Sequence, residues 1–116
     1  MPFLTIQTNT TATDREALVS ALSALGVKLL SKPEKYMVVN INENATLAFG
    51  GSQEPAAIVE VKSIGGLTKE NNKEISAQIQ PLLEKHLKVP AYRYYIFFSH
   101  FDAEDVGYAG ATFATL

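Results

Sequence analysis

The chain repeats its own pattern. A strand-like run at Phe3, a helix-like run from Asp14 and a strand-like run at Tyr36 return, roughly 55 residues on, as Ala57, Lys69 and Tyr94. Pro33-x-x-Tyr36 echoes Pro90-x-x-x-Tyr94. Residues 1–116 therefore read as one domain with an internal repeat at about 2–50 and 56–113. Two βαβ units whose crossovers share one hand close into a four-stranded mixed sheet with both helices on one face. The fold class is α/β, in its α+β form. The other face of that sheet has no third helix to cover it. Because Tyr94 to Phe101 offers apolar or aromatic side chains to both faces, the bare face is expected to meet further copies of the chain.

Local patterns supply the elements. Pro2 to Thr8 alternates Leu4 and Ile6 with polar neighbours, and Pro is allowed at a strand's first position. Thr13-Asp14-Arg15-Glu16 reads as a capping box ahead of Leu18, Leu22, Leu25 and Leu29, predicting a helix from about Asp14 to Leu30. Gly26 weakens its second half by roughly 1 kcal/mol relative to Ala. Tyr36 to Ile41 is rich in β-formers, and Leu47-Ala48-Phe49 reads as a short strand after a polar turn. Ala57 to Lys62 is a strand, and Ile75, Ile79, Leu82, Leu83 and Leu87 mark a helix from about Lys69 to Leu87. Pro81 inside it predicts a kink or break near Gln80. Tyr94 to Phe101 is the last long strand, with a short β segment within Tyr108 to Phe113.

Composition narrows the function classes. At 47% hydrophobic and 19% charged residues the chain can build a core. A net charge of −2, with no Lys/Arg run, lacks the footprint of a nucleic-acid binder. The absence of cysteine removes disulfides, thiolate-bound zinc and thiol nucleophiles. The first residues carry neither a basic segment nor an apolar stretch of signal-peptide or membrane-spanning length. The expectation is a cytoplasmic protein without a membrane partner, or one secreted without a signal peptide.

Chemistry has few places to reside. Pro2 follows a Met that aminopeptidases remove before a small residue, which would leave a free secondary amine. In an apolar site its charged form is disfavoured, so its pKa falls toward neutrality and the amine becomes a competent general base. On its own, Pro2 reads first as a plain strand-starting proline. Lys32, before Pro33, either holds a substrate carboxylate or complements a helix C-terminus. Ser63-Ile64-Gly65-Gly66 joins a strand to a helix, as a plain turn or as an anion-binding corner of backbone N–H groups. His86 and His100 show no metal-ligand spacing, and no cofactor is implied. The aromatic set Tyr94, Tyr95, Phe97, Phe98, Phe101, Tyr108 and Phe113 either packs a core or lines a ring-binding pocket.

Taken together, these residues resemble the macrophage migration inhibitory factor and D-dopachrome tautomerase family. The matching pieces are Met1-Pro2-Phe3-Leu4 with Thr8-Asn9, Lys32-Pro33-x-x-Tyr36, Ala48-Phe49-Gly50-Gly51-Ser52-x-Glu54-Pro55, Ser63-Ile64-Gly65, Tyr95-Ile96, and Val106-Gly107-Tyr108 with Thr112-Phe113-Ala114. They run in order along essentially the whole chain. The resemblance implies a homotrimer whose sheets line a central barrel, with active sites between subunits. It implies keto-enol tautomerisation of phenylpyruvate-like 2-oxo acids. By match, Pro2 is the base, Lys32 and the Ile64 backbone hold the carboxylate, and Tyr36, Val106 and Phe113 wall the pocket. Tyr95 and the position of Phe97 would come from the neighbouring subunit.

Two departures bear on chemistry. Phe97 stands where animal members of the migration inhibitory factor type carry Asn, which predicts poorer use of a para-hydroxylated substrate. The Cys-x-x-Cys of some members corresponds to Ala56 through Val59, so no thiol oxidoreductase activity is expected. Against the tautomerase reading stands a cytokine-like binding protein with a vestigial or ligand-sensing pocket. A third reading keeps the Pro2 base for hydration or dehalogenation. Such reactions usually ask for further acids or arginines, and only Arg15 and Arg93 are present.

Overall fold

The computed structural model describes residues 1–116. Strand β1 (Pro2–Thr8) leads into helix α1 (Arg15–Leu30), a 3-10 turn at Glu34–Tyr36 and strand β2 (Val38–Asn42). Strand β3 (Ala57–Ser63), helix α2 (Lys69–Leu87) and strand β4 (Tyr94–His100) repeat the unit, and a hairpin of β5 (Gly107–Tyr108) and β6 (Ala111–Thr112) follows. The sheet order is β2-β1-β3-β4. Each repeat contributes one parallel pair, and β1 meets β3 antiparallel, with Pro2 opposite Ser63 and Thr8 opposite Ala57.

Alternation along the strands sends one set of side chains to the helices. Leu4 and Ile6 of β1 and Val59 and Val61 of β3 join Leu18, Leu22 and Leu25 of α1 and Ile75, Ile79 and Leu83 of α2 in one buried cluster. Both helices therefore cover the same face, as the repeat predicts. Successive side chains point to opposite faces, so the uncovered face carries Phe3, Thr5, Ile58, Tyr95 and Phe97. Among them Ile58, Tyr95 and Phe97 are 39%, 64% and 54% exposed.

Several local expectations are corrected. The first helix is capped by Asp14, whose carboxylate accepts from the Ala17 N–H, while the Thr13 N–H donates to the His86 carbonyl at the end of α2. No capping box forms. Helix α1 continues through Gly26 to Leu30; a Cβ there would lie 2.5 Å from Met37 Cε, so its absence lets Met37 pack against the helix. Helix α2 runs unbroken through Pro81. Both Pro81 and Ala77, whose carbonyl loses its N–H partner, lie on the exposed side of the helix, where such a carbonyl is open to solvent. Tyr36 lies in the 3-10 turn and not in β2. Leu47 to Phe49 forms no strand, only a Phe49–Ser52 bridge. The β segment expected within Tyr108 to Phe113 is the β5–β6 hairpin, starting one residue earlier.

Candidate active site

The start of β1 lies where four segments converge. Its register puts Pro2 opposite Ser63 and Phe3 beside Val38, so the strand begins next to the β3–α2 turn on one side and β2 on the other. The turn is sharp because Gly65 and Gly66 both hold positive φ, +74° and +80°, which glycine adopts without steric cost. Helix α1 ends on Ser31 in the left-handed conformation, with its N–H on the Val27 carbonyl, and the reversal sends Lys32 back toward that turn. The Lys32 Nζ stops 3.7 Å from where a Gly65 Cβ would sit.

A cavity of about 250 Å³ opens beside this corner, lined chiefly by Met1, Tyr36, Met37, Val106, Tyr108 and Phe113. The 3-10 turn supplies Tyr36, and the C-terminal hairpin and its flanks supply Val106, Tyr108 and Phe113. The Tyr36 ring stands edge-on to Tyr108 and Phe113 at 5.6 and 5.8 Å, and those two stack at 5.4 Å. Lys35 also lines the cavity, its Nζ 5.1 Å from the centroid of the Tyr36 ring, and Lys32 lies beyond the lining near the Met1 amine. An apolar wall with cations beside it suits a small aromatic acid. The Met1 amine lies here, mostly open to solvent, and its pKa is below the ordinary value, first through its partial burial and then through the positive charge of Lys32. A larger groove of about 390 Å³ between α2 and β4, lined by Ser76, Gln80, Tyr94 and Tyr95 among others, holds no cationic side chain and no amine.

The residues singled out from sequence thus divide in two. Pro2, Lys32, Ile64, Tyr36, Val106 and Phe113 gather around the start of β1. Tyr95 and Phe97 sit on β4, two strands away across β3, with their rings 6.3 Å apart on the uncovered face. Tyr108, offered by the aromatic set as a pocket residue, lines the cavity; Met37 and Lys35 line it too, and nothing local in the sequence marked either.

Asn9 and Arg93, assigned no role from the sequence, turn out to hold one loop. Asn9 Nδ2 donates to the carbonyls of Leu47, Gln53 and Glu54, and its Oδ1 accepts from the Ala56 N–H. Arg93 binds the same loop from the other side. The Thr8-Asn9 and Phe49-to-Pro55 motifs are therefore two halves of one structure.

Comparison with known proteins agrees with this geometry. Residues 1–114 match the family described as macrophage migration inhibitory factor (MIF). A macrophage migration inhibitory factor homolog of Trichinella spiralis is 43% identical over 114 residues, covering 97% of this chain and all of that protein. The Xenopus tropicalis macrophage migration inhibitory factor is 34% identical over 98% of this chain and all of its own length. Among solved structures, the Trichinella spiralis factor superposes with a TM-score of 0.88 at 41% identity, covering 96% of this chain and 99% of that one. A Prochlorococcus marinus homologue gives 0.90 at 37%, covering 96% and 98%. No helix of the chain is long and apolar enough to cross a membrane. Matched along nearly its whole length in sequence and in fold, the chain belongs to the macrophage migration inhibitory factor family, within the tautomerase superfamily.

Proposed function

We propose that the protein is a keto-enol tautomerase of phenylpyruvate-like 2-oxo acids, with Pro2 as general base, working as a homotrimer. The observation that carries this reading is that a buried Pro2 follows Met1, which lines an aromatic-walled cavity and whose amine feels the Lys32 ammonium, at the start of β1.

While Met1 is attached, the Pro2 nitrogen is an amide and has no basic lone pair. Removing Met1 makes it a secondary amine and clears a side chain from the cavity. The surroundings that depress the Met1 amine, burial and the Lys32 cation, act on the new amine one residue deeper. A neutral amine then takes a proton from the carbon beside the ketone and returns it to the enol oxygen's side, or the reverse. Lys32 and the Ile64 backbone hold the carboxylate, and the cation favours the developing enolate. Tyr36, Val106 and Phe113 receive the ring.

Trimer formation would cover the apolar open face and bring Tyr95 and Phe97 of one subunit to the cavity of the next. The sheets would then line a central barrel. Membership of this family also supports a cytokine-like role, in which the same cavity serves a binding protein.

The deciding experiment is phenylpyruvate ketonisation followed by ultraviolet absorbance, using untagged protein whose N-terminus has been verified as Pro2. Pro2→Gly is the paired control. Loss of most activity in that variant supports the reading. Wild-type turnover no faster than buffer, from an intact oligomer, sinks it and leaves the binding role ahead.

A further inference from the structure

The loop from Leu47 to Ala56 has no strand ladder to hold it, and Arg93 supplies much of what does. Its guanidinium donates to four backbone carbonyls: Nε to Pro55 at 3.0 Å, Nη1 to Phe49 at 3.0 Å, and Nη2 to Ser52 and Glu54 at 3.1 and 3.0 Å. No carboxylate pairs with it. The same group lies over the Phe49 ring, 5.5 Å from its centroid. That ring leans on Tyr95 at 5.1 Å with a 48° tilt. Tyr95 is 64% exposed on the open face of β4 and has only Phe49 and Phe97 as ring neighbours.

An exposed tyrosine on a strand has more than one open rotamer, and a ring packed against its side removes the others. We infer that Arg93 is a positioning residue for Tyr95: it fixes Phe49 from two sides, by the backbone carbonyl and by the ring face, and Phe49 sets the Tyr95 ring. The inference rests on the reading that Tyr95 serves the pocket of a neighbouring copy. Lysine cannot replace arginine here. Its three donors on a flexible stem do not span four carbonyls, and it offers no plane to lie over the ring.

The test is a double-mutant cycle in the mature oligomer. Arg93→Lys is measured alone and on Tyr95→Ala, with KM and kcat for phenylpyruvate, oligomer size and thermal midpoint recorded for each. Arg93→Lys is expected to raise KM about 5- to 20-fold with kcat within about twofold, and to change KM less than about twofold once Tyr95 is gone. Equal effects in both backgrounds would show that Arg93 only holds the loop, and would overturn the inference, as would an unchanged KM. If Arg93→Lys does not fold, Phe49→Leu carries the cycle, because it removes the ring and leaves the carbonyl bonds.

A second readout is independent of turnover. The 3-fluorotyrosine resonance of Tyr95, assigned by its loss in Tyr95→Phe, should shift or broaden in Arg93→Lys. A wild-type protein without turnover would defeat the tautomerase reading; an unmoved resonance would defeat this one.

Discussion

The ammonium of Lys32 stands 3.7 Å from the point at which a side chain on Gly65 would begin. The end of the first helix and the turn into the second are thus fitted to each other at the start of β1. The position of Gly65 suits glycine through its φ of +74°, and a methyl there would lie in ordinary contact with the cation.

Gly65→Ala should therefore do more than strain the backbone. The left-handed conformation costs an L-residue about 1–2 kcal/mol, and the new methyl, in ordinary contact with the Lys32 ammonium, takes the place of solvent on that side of the cation. Gly110, at φ +81° with nothing within 4 Å of its Cβ position, provides a control with similar backbone strain and open space. Both alanine variants should lower the thermal midpoint. Only Gly65→Ala should raise KM for a 2-oxo acid, and equal KM values in the two would mean that the carboxylate does not bind on the Gly65 side of the ammonium.

Lys32→Met should separate binding from proton transfer. Without the ammonium, a carboxylate loses a charge-assisted bond of about 1.5–3 kcal/mol, or roughly 10- to 150-fold in KM. The pH profile should move as well. A base acts when neutral, so kcat/KM rises with pH through the pKa of the Pro2 amine. Burial and Lys32 both lower an amine at this corner. Removing the cation raises it, so the ascending limb moves to higher pH. A limb that stays in place would mean that Lys32 does not act on the base.

Activity should follow processing. Met1 lines the cavity and acylates Pro2, so turnover per chain should be proportional to the fraction of chains beginning at Pro2, read by intact mass. A preparation that retains Met1 and turns over at full rate would exclude Pro2 as the base.

Much of this was legible beforehand, and what was not has identifiable causes. The repeat and the apolar periodicities report burial of whole faces, so the four long strands and both helices could be read from them. The site on β1 could be read because Pro2, Lys32 and Ser63-Ile64-Gly65 each carry a chemical peculiarity at a chain junction. Asn9 and Arg93 carry none. Their partners are backbone carbonyls 38 to 45 residues away, and any residue type can present those. Leu47 to Phe49 has strand-like side chains, but the neighbours a ladder requires are not within this fold. The Pro81 rule presumes a carbonyl with no alternative partner, and Ala77 is exposed to solvent.

The C-terminal hairpin carries a small strain that can be relieved. Tyr108 pairs with Ala111, so the loop is Ala109-Gly110, with φ of +53° and +81°. Two positive φ angles define the turn whose preferred sequence is Asn-Gly. Ala109→Asn should stabilise the protein by about 0.5–1 kcal/mol, since Asn tolerates the left-handed region better than Ala. Thermal unfolding at fixed protein concentration checks it, because oligomerisation makes the midpoint concentration-dependent. A lowered midpoint would mean that the exposed Ala109 side is covered in the assembly.

Substrate choice should turn on Phe97. It is 54% exposed on β4 beside Tyr95, and in the proposed trimer it faces the far end of a neighbour's aromatic cavity. A phenyl ring is well received there. A para-hydroxyl would lose its water and meet only carbon on that side, and a buried hydroxyl left unpaired costs about 1–3 kcal/mol. Phenylpyruvate should therefore be turned over with a kcat/KM about 5- to 150-fold above that of 4-hydroxyphenylpyruvate. Phe97→Asn restores an amide able to pair with the hydroxyl, so the ratio should fall toward one, mainly by improvement of the hydroxylated substrate. If the ratio is unchanged while the oligomer stays intact, Phe97 does not reach the ring and the proposed placement of β4 against the neighbouring cavity is wrong.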